Sequence, residues 1–256
     1  MSYSNPTGWT GTEASTMGWV DIAALQYLYG AADRQNQTFT FTDADTNVLK
    51  TIFANGVGNE ANFTATTLEL GVDLRGGGFI SIGSNRNNIG VAYGTDIETL
   101  RLGSGDATVY SDATGVDLYL AGGDLTFTGG RGVDEIILSA NAATGPAVSG
   151  GNLSGYDLFY DYDATKDKVT SGKSYAAAIA AFDGVDSVLT LANGGLAVQS
   201  HSIDANGVIT FSTSDVFDGP IALTSLADVA VAVEYLQGND IGNNSQVMFN
   251  AEVDGV

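Results

Sequence analysis

The central part of the sequence contains an apolar residue at every ninth position. These residues are Leu100, Val109, Leu118, Phe127 and Ile136. Three of the units have a second apolar residue two positions earlier, as expected for short strands with one buried face. Glycine-rich turns separate the strands at residues 103–106, 112–115, 122–124 and 129–132. One strand and one turn every nine residues predict a degenerate parallel β-roll or β-helix.

One of these units carries a calcium-binding sequence. Residues 129–137 read G-G-R-G-V-D-E-I-I and match the calcium-binding nonapeptide G-G-x-G-x-D-x-U-x at every specified position. Glycines let such a turn expose backbone carbonyls, and the aspartate provides a carboxylate for a hard cation. We predict one site, formed by carbonyls near Gly130 and Gly132, by Asp134 and by Asp112. The alternative is an ordinary glycine-rich turn with a solvated Asp134.

Two further groups of aspartates have the alternate spacing found in calcium-binding loops. Asp43 and Asp45 precede Asn47, and Asp161, Asp163 and Asp167 surround Thr165. The second group lacks the glycine and the bidentate glutamate of an EF-hand. Both groups are therefore candidate calcium ligands, with solvated turns and Asx hydrogen bonds as the alternative.

The charge of the chain excludes some partners. Asp and Glu total 30 against 9 Lys and Arg, which gives a net charge of −21. Nucleic acid and anionic membranes are therefore poor candidate partners. The acidity fits either an oxygen-ligated calcium protein or solubility in a saline medium. The sequence contains no apolar run long enough to insert into a membrane.

Cysteine content and the amino terminus bear on the location of the protein. There are no cysteines, so disulfides and thiolate metal sites are excluded. No cleavable signal peptide is visible at the start of the chain. Cysteine-free acidic chains are common among proteins exported in one step from the bacterial cytoplasm, so the protein is either cytosolic or exported by a route whose signal lies elsewhere in the chain.

The chain divides into three predicted regions. Residues 1–35 form an N-terminal segment with a helix that begins near Met17 and ends before Gly30. Residues 36–170 form the β-roll domain, and residues 171–256 form a second β-rich module. That module contains a helix at about residues 225–236, and a weaker helical pattern covers residues 175–182. The predicted fold class is therefore mostly β.

Several segments resemble serralysin-type metalloproteases. Residues 15–17 and the run D-I-A-A-L-Q-Y-L-Y-G-A at 21–31 resemble the Met-turn and the helix that follows it in this family. Residues 73–106 and 160–169 resemble the opening and closing parts of its carboxy-terminal, calcium-binding repeats-in-toxin domain. The resemblance covers roughly residues 15–170. It implies a β-roll, calcium and export by a type I secretion machinery.

The departures from the family argue against catalysis. A serralysin-type protease needs H-E-x-x-H to hold zinc, whereas this chain has one histidine, His201, outside any such motif. We therefore predict a non-catalytic, secreted structural or adhesive protein that self-associates in a surface layer, filament or matrix, with calcium-stabilised folding. The alternatives are a fragment or separate chain of a serralysin-like protease, and a module that binds glycans or proteins.

Overall fold

The computed structural model describes residues 14–138, 147–149, 152–154, 157–161, 165–171, 186–193, 196–203, 208–238 and 248–249. The chain forms two compact units. The first comprises residues 1–143 and 157–170, and the second comprises residues 144–156 and 171–256. The β-roll domain was expected to run without interruption from 36 to 170, whereas residues 144–156 group with the second unit. We call residues 157–170 the return segment.

Strands dominate the described structure. In chain order the elements are α1 (Trp19–Tyr29), β1 (Thr38–Thr42), a 3₁₀ helix (Asp43–Asn47), β2 (Lys50–Ile52), β3 (Glu60–Ala65), β4 (Leu70–Asp73), β5 (Phe79–Ile82), β6 (Asn85–Val91), β7 (Thr99–Arg101), β8 (Ala107–Tyr110), β9 (Asp117–Leu120), β10 (Leu125–Thr128), β11 (Glu135–Leu138), β12 (Ala147–Ser149), β13 (Asn152–Ser154), β14 (Leu158–Tyr160), β15 (Lys168–Ser171), β16 (Asp186–Asn193), β17 (Leu196–Ile203), β18 (Val208–Ser212), α2 (Leu226–Gly238) and β19 (Met248–Phe249). The prediction of a mostly β chain with an N-terminal helix and one late helix is confirmed.

Two sheets make up the first unit. One has six strands in the order β1-β3-β7-β9-β11-β15, and the other has seven in the order β14-β10-β8-β4-β5-β6-β2. The pairs between β1 and β11 in the first sheet are parallel. The second sheet is mixed, because β4, β5 and β6 pair antiparallel. Its pairs β4–β8, β8–β10 and β10–β14 are parallel.

Consecutive strands from β7 to β11 alternate between the two sheets. Leu118 is in register with Leu100 on one side and with Ile136 on the other, so neighbouring strands of one sheet are two nine-residue steps apart. Val109 and Phe127 pair in the same way in the other sheet. One nine-residue step therefore takes the chain from one sheet to the other, and two steps advance it by one strand.

The ninth-position residues form the middle of the core of the first unit. All five belong to one buried apolar cluster, and none of them is more than 2% exposed. Alternation along each strand places every second side chain in this core. Phe41 and Phe63 stack in the same cluster, with ring centroids 4.6 Å apart. Apolar packing is therefore continuous through the first unit.

The turns between the strands stack closely on one another. A Cβ on Gly130 would lie 1.8 Å from the carbonyl oxygen of Asp112, which is the residue two steps earlier. Gly115 has a φ of 94°, and a Cβ there would lie 2.1 Å from the carbonyl oxygen of Val133. Backbone approach at this distance leaves no room for a side chain, so glycine is required at both positions.

Helix α1 is apolar on most of its surface, and none of its residues is buried. Trp19 makes edge-to-face contacts with Phe79 and Tyr93, and the side chain of Gln26 donates a hydrogen bond to the Tyr93 carbonyl. Tyr27 is 90% exposed. The apolar pattern therefore predicted the helix correctly, although none of its apolar side chains is fully buried.

The second unit is built on β16, β17 and β18, which pair antiparallel, and β19 adds parallel to β18. Strands β12 and β13 form a separate antiparallel pair. Helix α2 packs on β16 and β17, and its Val231, Ala232, Tyr235 and Leu236 belong to the buried cluster. His201 is buried there, with Nδ1 3.0 Å from the Tyr235 hydroxyl oxygen. The helical pattern at residues 175–182 lies outside the described residues.

Within the described part of the chain, no helix combines the length and apolar character needed to cross a lipid bilayer.

The central core position should be the most sensitive to truncation. Leu118→Ala removes a fully buried side chain between Leu100 and Ile136, and should lower the free energy of unfolding by about 2–5 kcal/mol. Thr126→Ala, on the outward face of β10, should lower it by roughly 0.5 kcal/mol or less. Urea titration followed by circular dichroism measures both values, and equal losses would contradict the assignment of the buried face.

Candidate metal centre

The Asp134 carboxylate lies inside the first unit, just before β11. Its side chain belongs to a residue that is 1% exposed. The hydroxyl of Ser111 and the N–H of Val116 each donate a hydrogen bond of 2.9 Å to Oδ1. The backbone ladder places Asp134 beside Val116, two nine-residue steps earlier, since the Glu135 N–H donates to the Val116 carbonyl. A carboxylate therefore occupies a buried position that holds an apolar side chain on the neighbouring strand.

The second oxygen of this carboxylate is not satisfied. Asp134 Oδ2 is buried and has no hydrogen-bond partner among the described residues. A Cβ placed on Gly129 would lie 3.0 Å from Oδ2, 3.5 Å from the carbonyl oxygen of Asp161 and 3.6 Å from that of Tyr160. Three oxygens therefore lie within 3.6 Å of one point beside Gly129. A buried oxygen without a partner is costly unless a proton or cation compensates it.

A second carboxylate, that of Asp167, approaches the same place from the return segment. Asp167 is 7% exposed, and its Oδ1 accepts a 3.1 Å hydrogen bond from the Asp134 N–H. The N–H of Lys168 donates to the Asp134 carbonyl at 2.9 Å. These two backbone contacts attach the start of β15 directly to Asp134.

Burial and charge make ionisation of Asp134 unfavourable. Burial raises the pKa of Asp134, and the neighbouring charge of Asp167 raises it further. The hydrogen bonds from Ser111 and Val116 and a weaker contribution from the Gly130 N–H lower the pKa without offsetting these effects. A divalent cation beside Oδ2 would lower the pKa of Asp134, because a nearby positive charge stabilises the ionised carboxylate.

The donor set suits a hard cation such as calcium, which prefers carboxylate and carbonyl oxygens. The oxygens near this position are those of the Asp134 and Asp167 carboxylates and the carbonyls of Tyr160 and Asp161, of which the Tyr160 carbonyl also accepts the Gly129 N–H at 3.0 Å. No group of three or more histidine, cysteine, aspartate or glutamate side chains with metal-binding geometry occurs in the described residues. Backbone carbonyls would therefore have to supply part of the coordination shell.

The other predicted ligands of the nonapeptide lie in the stacked turns nearby. Gly130 and Gly132 pack against the backbone of residues 112–115. The Asp112 carboxylate is not directed to Asp134 but accepts a 2.8 Å hydrogen bond from the Thr114 N–H. The Thr114 hydroxyl oxygen lies 2.5 Å from Asp112 Oδ1 and 2.9 Å from Asp96 Oδ1. Asp112 thus stabilises its own turn.

Asp43 and Asp45 are placed in the 3₁₀ helix, and both carboxylates have protein partners. Asp43 accepts hydrogen bonds of 2.8 Å from the N–H and from the hydroxyl of Thr67, and these bonds lower its pKa. Burial tends to raise the pKa of Asp45, but contacts with Lys50 and Thr42 outweigh it and lower the value. Lys50 Nζ lies 2.6 Å from Asp45 Oδ1. These two carboxylates are engaged in local structure.

The third group of predicted ligands connects β14 with β15. Asp161 has a φ of 58° and follows β14, whereas Asp167 immediately precedes β15. Asp163 lies outside the described residues. The structure joins Asp167 with Asp134, two residues that the sequence had assigned to different candidate sites. Ser111 was not predicted. Its hydroxyl donates a hydrogen bond to Asp134 Oδ1, a contact that no spacing in the sequence indicates.

No protein-family model matches the sequence, and no curated protein matches it at a significant level.

Asp157, at the start of the return segment, should give the first unit a measurable pH dependence. Burial raises the pKa of Asp157, the hydrogen bond from the Leu125 N–H lowers it, and the charge of Asp124 raises it, with a net increase above 3.8. The folded state then holds the proton more tightly, so wild-type stability falls as pH rises from about 3.8 through the folded pKa. Asp157→Asn keeps the acceptor oxygen and removes this fall.

The measurement is urea titration between pH 3 and pH 7 in chelator, with the free energy of unfolding of the variant compared with wild type at each pH. The gain from Asp157→Asn should grow as pH rises. Asp43→Asn is the matched control of opposite sign, because the lowered pKa of Asp43 stabilises the wild type at high pH and this advantage disappears as pH falls. Differences that do not depend on pH would refute the assignment.

Proposed function

We propose that this chain is a non-catalytic extracellular structural or adhesive protein, exported by a type I secretion machinery, whose first unit is a degenerate β-roll stabilised by calcium. In this proposal the protein self-associates outside the cell in a surface layer, filament or matrix. The observation that carries the proposal is the buried Oδ2 of Asp134, which forms no hydrogen bond with the described residues and lies within a nonapeptide that matches the calcium-binding motif.

The parallel pairing of β7 to β11 supports the β-roll. Two nine-residue steps separate paired strands, and glycines allow the turns to stack at backbone distance. These features are expected of stacked repeats that bury one continuous core. The mixed part of the seven-stranded sheet, from β4 to β6, departs from a regular repeat.

Calcium is proposed because it would connect folding with export. An ion that binds the folded turns and not the unfolded chain stabilises the fold by about 2.7 kcal/mol when it is present at 100 times its dissociation constant. The low calcium of a cytoplasm would leave the chain less stable and suitable for export in an unfolded state. Calcium outside the cell would then complete folding.

A non-catalytic role is supported by the histidine content of the sequence. A zinc protease of the serralysin type holds its metal with imidazoles and uses H-E-x-x-H, and His201 is the one histidine in these 256 residues. In the structure His201 is buried beside Tyr235 in the second unit. The net charge of −21 repels nucleic acid and anionic membrane surfaces, so neither is a proposed partner.

Calcium should raise the melting temperature of the purified protein, and removal by chelator should reverse the change. The reason is that only the folded state brings the oxygens of Asp134 and Asp167 and the carbonyls of Tyr160 and Asp161 together. Thermal melts followed by circular dichroism, in chelator, magnesium and calcium, measure the effect. Static light scattering at each condition tests self-association.

Asp134→Asn should remove the calcium response, since the amide keeps the size of the side chain but loses its charge. Asp33→Asn makes the same charge change at an exposed position and should respond as wild type does. Magnesium should have a smaller effect because it retains its water ligands. A wild-type protein whose melting is the same in calcium and in chelator would disprove the calcium-stabilised fold.

A further inference from the structure

The return segment supplies a terminal strand to each sheet of the first unit. Strand β14 is the last strand of the seven-stranded sheet, and β15 is the last of the six-stranded sheet. Residues 126–128 of β10 pair in parallel with residues 158–160 of β14. The segment therefore covers the exposed edges of β10 and β11 together.

Backbone pairing and polar contacts hold the described part of this segment. Phe159 packs against the core but is only partly buried. Besides the pairing of β14 with β10, Asp157 Oδ1 accepts the Leu125 N–H at 2.9 Å, and the segment bonds to Asp134 through Asp167 and Lys168. Lys168 Nζ also lies 3.2 Å from Glu135 Oε1, in a pair whose lysine side chain is 66% exposed and therefore weak.

Negative charge accumulates where the segment meets the preceding strands. The carboxylates of Asp134 and Asp167 approach each other at the β11 end, and those of Asp157 and Asp124 repel at the β10 end. Asp134 Oδ2 has no hydrogen-bond partner in the described residues, and it faces the carbonyls of Tyr160 and Asp161, which belong to the same segment. A cation there would touch both sides of the junction.

We infer that a divalent cation held by Asp134 and Asp167, with the carbonyls of Tyr160 and Asp161, fastens the return segment onto β10 and β11. The inference rests on the proposed function and specifies what its calcium does. When the ion is removed, the segment detaches and leaves the edges of β10 and β11 unpaired. The ion therefore keeps these two strand edges covered by the chain's own β14 and β15.

The position of the ligands explains why the effect would be local. The core from β1 to β9 is closed by apolar packing and needs no ion, since its cluster includes Phe41, Phe63 and Leu100. Loss of the ion removes an attraction only between the turn before β11 and the return segment. Local opening at low cost is expected of a segment with few buried apolar contacts.

Hydrogen exchange with mass spectrometry tests this inference on the full-length protein. In wild type, calcium should slow amide exchange in residues 157–170 and at the edges of β10 and β11, with little change from β3 to β9. Chelator should restore fast exchange in the same residues.

Asp167→Asn is the decisive variant, because Oδ1 of the amide still accepts the Asp134 N–H while the charge is lost. Its calcium affinity, measured by isothermal titration, should fall by roughly tenfold or more. Residues 157–170 should then exchange as in chelator at calcium concentrations that protect wild type. Asp33→Asn is the control, and the exchange of β16 to β18 reports whether each variant is folded.

Three outcomes distinguish the inference from the proposed function. Local protection that Asp167→Asn abolishes supports both. Calcium protection that is spread evenly over the first unit, and that Asp167→Asn leaves intact, overturns the fastening role while the calcium-stabilised fold stands. An absence of any calcium effect on exchange or melting in wild type overturns both.

Discussion

The parallel register between turns two steps apart is the constraint on which the first unit depends. It places Leu118 between Leu100 and Ile136, and it brings the backbone of Gly130 against that of Asp112. A side chain at a ninth position is then buried in the core, and the turns leave no space for a side chain at Gly115 and Gly130. Burial of that continuous apolar column is the main favourable contribution to the fold.

The buried column becomes polar at Asp134. Val116 fills the equivalent position two nine-residue steps earlier with an apolar side chain, whereas Asp134 supplies a carboxylate that is equally buried. Among the residues that the structure describes, Ser111 and Val116 donate hydrogen bonds to Oδ1, and none donates to Oδ2. A buried carboxylate with an open oxygen is a cost to the fold unless a cation or proton neutralises it, which is the reason to assign it a function. The proximity of Asp167 increases that cost and also increases the attraction for a cation.

The return segment connects the Asp134 site with the edges of the two sheets. Sheets of parallel strands end in edges that must be covered, and here β14 and β15 cover two of them. The contacts that hold them are mostly polar and centred on aspartates. The strength of this junction therefore depends on electrostatics, whereas the rest of the first unit depends on apolar packing. A metal ion could consequently act on one edge without determining the whole fold.

The sequence by itself determined the strands and turns of the repeat at residues 100–137 and the two helices α1 and α2. The nine-residue spacing from Leu100 to Ile136 fixes which residues are buried, and apolar periodicity indicates α1 and α2, because both patterns are local. The motif also identified Asp134. Only the tertiary structure decided that successive strands belong to different sheets, that residues 157–170 complete those sheets, and that Asp167 meets Asp134. These contacts join residues up to 33 positions apart without any repeating interval, so no spacing in the sequence records them.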